Sequence, residues 1–554
     1  MYDFIVVGSG FGGSVSALRL AEKGYRVAVL EAGKRFTPDD FAKTNWNLRR
    51  YLWMPRLFCH GIMRLTLLRE ALVGSGSGVG GGSLVYANTL PVPGADVFTR
   101  PEWPAGLNED ALRPHYATAE RMLGATTNPR LTQADLVMKE CAEEMGKAET
   151  FAPTEVAVFF GEPGKTVADP FFGGAGPDRA GCVFCGGCIV GCRHNAKNTL
   201  DKNYLYLAEK LGVEVYAETQ VDRVEALAVG YRLMSFRSTG LFGRGGRAWL
   251  AKNVVLAAGV LGTVELLLRA RERGSLPRLS PAVGQRVRTN SEAIVGATSR
   301  KRHADFTDGI AITSGIHPDE VTHIQPVRYP RGSDFIALLA KPLTDGGPGL
   351  PRPLRFFRNC LTHPGDLARS ILPFGWAQRT ILLLVMQTTE NHFRLVLKRR
   401  WFWPFRSALA STPAEAGGRH SPSYIPIAND MARRVARKID GWPSSSINEV
   451  LFDIPSTAHI LGGAVIGSDP QTAVCDERHE AFGHPGLFVI DGSSVPVNLG
   501  VNPALTITAL AEHAMSLVSP RTTADGPGGA GSKPAIGLRA SPETQGPNMD
   551  SQRQ

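Results

Sequence analysis

The sequence predicts an α/β nucleotide-binding domain interleaved with at least one further domain. Three observations carry this prediction. Residues 1–31 spell a strand, a glycine loop, a helix and a second strand. Residues 249–269 repeat the order strand, glycine turn, helix, and resemble a return of the chain to the same sheet. A length of 554 residues is too great for one simple core.

In the first unit, Asp3-Phe4-Ile5-Val6-Val7 reads as a short buried strand running into Gly8-Ser9-Gly10-Phe11-Gly12-Gly13. The helix that follows puts Val15, Leu18 and Ala21 on one face and stops at Gly24. Residues 26–30 form the second strand, which ends on Glu31. In such a unit Gly8 permits the tight turn, Gly10 lets backbone approach a pyrophosphate, and Gly13 allows close helix–strand packing. A diphosphate there meets the unpaired N–H groups and positive dipole end of the helix. Glu31 suits a ribose with free hydroxyls and repels a 2′-phosphate, which argues against NADP.

Composition excludes several classes. A hydrophobic fraction of 43% with 20% charged residues describes an ordinary globular protein. Lys and Arg number 61 against 51 Asp and Glu, but the excess of +10 is scattered, which fits a solvated surface and not a nucleic-acid groove. The run 398–406 mixes basic and aromatic residues. A loop in peripheral contact with a membrane and a partly buried loop both fit it. The longest uninterrupted apolar run, residues 381–386, is too short to span a bilayer. No signal peptide precedes the first strand, so a cytoplasmic protein is expected. Eight cysteines, four of them within eleven residues, do not resemble an extracellular disulfide framework.

Further along, residues 36–68 are rich in Arg, Trp, Leu and Met and leave the nucleotide domain to cover its ligand. Six glycines between Gly74 and Gly82 exclude a helix or strand interior and let backbone come close to something flat or charged. Leu84-Val85-Tyr86 continues as an apolar strand. Residues 101–160 read as helices on the surface of a second lobe, and residues 198–211 as one amphipathic helix. Strands follow at 213–216, 221–224 and 249–257, then a helix at 264–269. Residues 290–455 supply the bulk of a second domain, with strand-like runs at 381–386 and 393–397. Residues 487–491 form a late strand, and residues 503–517 a helix with Ile507, Leu510, Ala514 and Leu517 on one face. Beyond Ser519 the chain is rich in Gly, Pro, Ser and Thr without periodicity, which predicts a disordered tail.

Two places admit more than one chemistry. His459 lies among apolar residues, where a satisfied core histidine and a proton acceptor both fit. Asn502-Pro503 suits an N-cap followed by a first helical residue. It equally suits a helix start aimed at a ligand, where the dipole stabilises negative charge.

The opening βαβ unit, the loop Gly78-Val79-Gly80-Gly81-Gly82-Ser83, the segment His459-Ile460-Leu461-Gly462-Gly463, and Asp491-Gly492-Ser493 through Gly500-Val501-Asn502-Pro503 together resemble a known family. It is that of the flavin-dependent glucose–methanol–choline (GMC) oxidoreductases, and within it the cholesterol oxidase branch of actinobacteria. The resemblance implies an α/β, Rossmann-like FAD-binding domain made of residues 1–35, 70–95, 200–290 and 456–518. Interleaved with it is an α+β substrate domain carrying a mostly antiparallel sheet, made of residues 36–69, 96–165 and 291–455. Residues 166–199 remain as a cysteine-bearing insertion and 519–554 as the tail.

The same resemblance implies roles for individual residues. Gly8, Gly10, Gly13, Glu31, Gly80, Gly81, Gly82, Ser83, Asp491, Gly492 and Pro503 are expected to contact FAD, with the Val221 backbone on adenine. His459 is expected beside the flavin N5 and Asn502 over the pyrimidine ring. Glu390 is a candidate, by location alone, for the active-site glutamate of the family's steroid oxidases. The activity implied is oxidation of a hydrophobic secondary alcohol, such as a 3β-hydroxysteroid, to the ketone by hydride transfer to FAD. Oxygen or an electron carrier then takes the electrons. The rivals are a dehydrogenase for another bulky alcohol and a flavo-iron–sulfur electron-transfer module with no substrate. His459 weighs against the module, because electron transfer alone needs no proton acceptor there.

Cys182, Cys185, Cys188 and Cys192 have the C-x2-C-x2-C-x3-C spacing of a bacterial ferredoxin, although Arg193 replaces the proline that usually follows. The expectation is one metal centre, an iron–sulfur cluster with zinc as the alternative; ordinary thiols are the remaining reading.

Overall fold

The computed structural model describes residues 1–240, 246–400, 403–414 and 419–522. The predicted tail from residue 523 onward, and the centre of the basic and aromatic run 398–406, lie outside the described residues.

Uninterrupted apolar runs build the first sheet. Tyr2–Val7 is buried along its whole length and pairs in parallel with Val27–Leu30 on one side and Arg247–Leu256 on the other. Strands buried on both faces are what a parallel sheet covered by helices requires. Glu214–Tyr216 extends the sheet beyond Val27–Leu30. Arg247–Leu256 divides its pairing: its first half takes the antiparallel Tyr231–Arg237, and its last residues pair in parallel with Leu487–Val489. Thr219–Ala226 completes the seven strands. Helices Phe11–Glu22, Gly259–Glu272 and Ala504–Ser516 supply Leu18, Val264 and Leu505 to the core that holds Val6 and Val29.

The second sheet is wholly antiparallel, in the order Thr322–Val327, Thr380–Gln387, Ala293–Ser299, Gly441–Ser446, Ala340–Pro342. Helix Pro426–Lys438 buries Met431, Ala432 and Val435 against Ile381, Leu383 and Val295 of this sheet. Between the two sheets a small one joins Ser456–Thr457 in parallel to Leu72–Gly76, which pairs in turn with Met63–Leu67. It sets the residues before His459 beside the second glycine loop.

Several local expectations are corrected. Leu84 to Tyr86 is not a strand: Gly81–Leu84 is a 3-10 turn and the strand is Leu72–Gly76, inside the glycine run. The run tolerates pairing because neighbours on both edges hold it. The helix expected over 198–211 is broken at Asn203, whose non-helical backbone (φ −133°, ψ −99°) separates the turn Leu200–Lys202 from the helix Tyr204–Lys210. Glu109–Leu123 does not lie on the second lobe. Leu112, Tyr116 and Met122 join the nucleotide-domain core, and the Tyr116 hydroxyl donates to Thr506 Oγ1 at 2.9 Å. Only the next helix, Gln133–Glu144, packs on the second sheet.

Candidate active site

One large cavity, ≈ 550 Å³, runs from the carboxyl ends of the first sheet's strands to the face of the second sheet. Gly8, Gly10, Glu31 and Val221 line one end, and His459, Asn502, Asp491 and Gly492 line the middle. The far end is mostly apolar, with Val327, Phe335, Leu339, Trp376 and Leu383 on its wall beside Ser444, Ser445 and Ser446.

The glycine loop is shaped as a cradle. Gly8 has φ +100°, and a Cβ there would stand 2.2 Å from the Ala257 carbonyl oxygen. A Cβ on Gly10 would meet nothing within 4 Å, so Gly10 is bare because the space in front of it is cavity. The helix Phe11–Glu22 begins there without a side-chain cap, leaving its first N–H groups for a ligand. Glu31 is buried, and its carboxylate accepts from the Ser9 N–H (3.0 Å), Ser9 Oγ (2.7 Å) and the Gly33 N–H (2.7 Å). It thereby fixes the loop as well as facing the cavity. Asp491, also on the wall, accepts from the Gly259 N–H (2.9 Å), Thr263 Oγ1 (2.5 Å) and the Ser493 N–H (2.8 Å). Burial pushes its pKa up, against those hydrogen bonds.

At the centre, Asn502 Nδ2 lies 3.3 Å from His459 Nε2. Asn502 does not cap the final helix, which starts after Pro503 with no side-chain cap. Its Oδ1 is buried with no hydrogen-bond partner among the described residues. On the other side of the imidazole, Nδ1 meets Glu292 Oε1, while Glu292 Oε2 accepts from the Ala458 N–H at 2.8 Å. Glu292 is completely buried. A carboxylate that already accepts an amide proton favours the tautomer with hydrogen on Nδ1, and Nε2 is left to accept a proton from the cavity.

Thr289 to Glu292 steady both halves of this pair. Thr457 Oγ1 donates to the Thr289 carbonyl at 3.0 Å and receives the His459 N–H at 3.0 Å. Asn290 Nδ2 donates to the Val501 carbonyl at 3.0 Å, and its Oδ1 accepts the Gly500 N–H at 2.9 Å. Sequence reasoning missed these residues. The available signal was four polar residues, all now buried, at the head of the apolar strand Ala293–Ser299.

Four expected site residues lie off the cavity wall. Glu390 faces Arg288 at 3.0 Å and His392 at 3.4 Å. Burial alone would raise its pKa, but hydrogen bonding to His392 and the hydrogen bond and charge of Arg288 hold it below the usual carboxylate value. The location-based choice of Glu390 is therefore corrected: Glu292 is the carboxylate at His459. Gly13 packs against the Gly8 carbonyl behind the cradle. Gly80 and Ser83 also stand back from the wall, where Ser83 Oγ donates to the Gly80 carbonyl (2.7 Å) and accepts the Leu200 N–H (3.0 Å). They turn the loop so that Gly81 and Gly82 face the cavity.

The structure does not show the expected metal centre. Among the described residues no three His, Cys, Asp or Glu side chains group to hold a metal ion. Cys182, Cys188 and Cys192 instead pack with Val156, Val158 and Ile310 in a small apolar cluster. Burial is the main cause that raises the pKa of Cys182, Cys185 and Cys188, and neighbouring thiols add to it. The loop is tied by its backbone to other partners. The Cys182 N–H donates to the Phe159 carbonyl at 3.0 Å, and Cys185 bridges Gly309. Lys197 Nζ, buried, donates to the carbonyls of Cys188, Leu84 and Tyr86, each at 2.9 Å. The insertion thus braces the wall segment that carries Tyr86.

The residues present fit FAD. The bare Gly10 cradle, two helix starts without side-chain caps and the orphaned Asn502 Oδ1 all face one elongated space. An FAD-binding cradle joined to a histidine–asparagine centre and an apolar chamber defines an FAD-dependent alcohol oxidoreductase. The family model described as GMC oxidoreductase matches residues 175–288 and 409–511, and that of an NAD(P)-binding Rossmann-like domain matches residues 6–60. The chain belongs to the GMC oxidoreductase family. It is 48% identical over 534 residues to a cholesterol oxidase of Mycobacterium tuberculosis, covering 93% of this chain and 91% of that protein. It is 45% identical over 533 residues to a cholesterol oxidase of Acinetobacter baumannii, covering 94% and 95%. The structure of pyridoxine 4-oxidase from Mesorbium loti superposes with a TM-score of 0.61 at 15% identity, over 93% of this chain and 99% of that one, a likeness of fold.

Proposed function

We propose that this protein oxidises the ring hydroxyl of a sterol, a 3β-hydroxysteroid such as cholesterol, to the ketone, with oxygen taking the electrons. The observation that carries the reading is the meeting of His459 Nε2 and Asn502 Nδ2, 3.3 Å apart, at the junction of the FAD cradle and the apolar chamber. The named activity of relatives at 45–48% identity supports the substrate class.

FAD, when bound, supplies the hydride acceptor. Gly8 makes the turn against Ala257 and Gly10 leaves room for the diphosphate, Glu31 stands where ribose hydroxyls fit, and Val221 offers backbone at the adenine end. The chain's own chemistry is proton handling. His459 Nε2 accepts the hydroxyl proton, and Glu292 holds the Nδ1 hydrogen and balances the charge of the resulting imidazolium. Asn502 orients the hydroxyl beside it. The uncapped start of Ala504–Ser516 presents amide dipoles to negative charge at this end of the cavity. The apolar wall excludes water and positions the carbon that loses hydride.

The test is incubation of purified holoprotein with cholesterol in air. Formation of the 3-ketone together with an equal amount of hydrogen peroxide supports the reading. Ketone formed only when an electron-accepting dye is added would replace oxygen with a carrier. No ketone under either condition would overturn the substrate assignment.

A further inference from the structure

The helices Arg352–Thr362 and Pro364–Ile371 turn an apolar face outward. Leu354, Phe357 and Leu361 recur at three- and four-residue spacing, hence on one stripe, and are 51%, 56% and 82% exposed. Phe356, on the opposite side, is the buried residue that holds the first helix down. Ile371, Leu372 and Phe374 continue the exposed surface at 61–75%. A soluble protein seldom leaves so many large apolar side chains contiguous and open to water without a partner.

Two further observations say what kind of partner. The first is charge: residues 350–374 carry four arginines against one aspartate. Asp366 is taken up by Arg369 at 3.0 Å and Arg300 at 3.6 Å, while Arg358 is exposed beside the stripe. The second is position. Leu372, Arg369 and Ser370 share a small pocket with Ala340, Trp376 and Ser444, three residues that also line the main cavity. Leu338, 44% exposed, sits between the cavity-lining Ile336 and Leu339. Trp46, 40% exposed, packs edge-on against cavity-lining Phe335 at 5.7 Å between ring centroids. The Leu372 end of this exposed surface thus adjoins the wall of the substrate chamber.

We infer that this helix pair docks the protein onto an anionic lipid bilayer, so that the chamber faces the membrane from which its substrate comes. An amphipathic helix lies in the membrane interface with its apolar side chains among acyl chains and its arginines at the head groups. The inference rests on the sterol reading above, since a sterol is a membrane constituent. It places the contact on residues 352–374, away from the run 398–406 that composition alone suggested. A second copy of this chain is the competing occupant.

The experiment compares wild-type holoprotein with a Leu354→Ser/Phe357→Ser/Leu361→Ser variant and with Arg358→Glu, all three positions of the stripe being exposed. Each is sedimented with vesicles of phosphatidylcholine alone or mixed with phosphatidylglycerol, at low and high salt. Cholesterol oxidation is followed in parallel with the sterol in vesicles and with the sterol carried by cyclodextrin. Wild type should sediment with the anionic vesicles and release in salt. The triple variant should lose vesicle binding about ten-fold or more. It should oxidise vesicle cholesterol correspondingly slowly, yet match wild type on cyclodextrin-borne cholesterol, and Arg358→Glu should lose chiefly the preference for anionic lipid. Equal sedimentation of wild type and the triple variant overturns the inference. So does a wild-type dimer in light scattering that the triple variant converts to monomer, which would give the stripe to a second copy. Absence of cholesterol oxidation from cyclodextrin would count against the sterol reading, while the sedimentation result still decides the docking surface.

Discussion

Glu292 and His459 stand 167 residues apart in the chain and meet as a buried carboxylate–imidazole pair. Glu292 immediately precedes the second sheet's strand Ala293–Ser299, whereas His459 follows Ser456–Thr457, which is paired to the glycine-loop strand. The pair therefore forms only when the substrate sheet and the cofactor domain are docked. It fixes which imidazole nitrogen faces the cavity, and so couples domain packing to proton transfer.

Glu292→Gln keeps the volume and removes the charge. FAD should stay bound, while reduction of the flavin by the alcohol should slow by about 10²–10⁴-fold. Stopped-flow reduction by the alcohol checks this. An unchanged rate would make the pair a packing contact.

His459→Ala should leave the holoprotein yellow and slow flavin reduction by about two orders of magnitude or more. Asn502 is not a side-chain cap, so Asn502→Ala should cost far less stability than the ~1 kcal/mol of a lost cap. A rate loss at unchanged melting temperature is the expected result. A stability loss with unchanged rate would return Asn502 to a structural role.

Gly10→Val should abolish FAD loading, because its side chain would fill space that a Cβ now finds empty. The apoprotein should still fold, since no protein atom lies within 4 Å of the added Cβ. Measured flavin per chain and the far-ultraviolet circular dichroism decide this together: full flavin content would sink the assignment of the cradle.

Glu449, fully buried beside Ile294 and Ser456, has its pKa pushed up by burial from 4.5 to about 8. Folding favours its protonated form. That contribution is complete below pH 4.5 and is lost as pH rises through about 8. Glu449→Gln should therefore melt near wild type at pH 4.5 and several degrees above it at pH 9. A melting difference independent of pH would show that Glu449 does not titrate in this way.

The cofactor end was legible in the sequence because its signal is local. Gly8, Gly10 and Glu31 lie in one βαβ unit, and the spacing that makes the cradle is a property of consecutive residues. His459 and Asn502 became legible through motif resemblance, since each alone fits a core histidine or a helix cap. Glu292 was hidden, because nothing near it in sequence announces a partner in another domain. Glu390 was preferred by location, yet Arg288 and His392 hold it elsewhere. The cysteine spacing alone does not decide between a metal centre and packed thiols: spacing places thiols along a loop, but the hydrogen bonds from Cys182 to Phe159 and from Lys197 to the Cys188 carbonyl set how that loop packs. The helix pair at 352–374 was missed because amphipathic spacing shows one apolar face without showing that it points outward.

The most direct test of the account is anaerobic mixing of the holoprotein with excess cholesterol while the visible flavin absorbance is followed. The account predicts full bleaching, one ketone formed per flavin reduced, and loss of the fast phase in both Glu292→Gln and His459→Ala. A flavin that stays oxidised in the presence of cholesterol, or one bleached equally fast in those two variants, would contradict it.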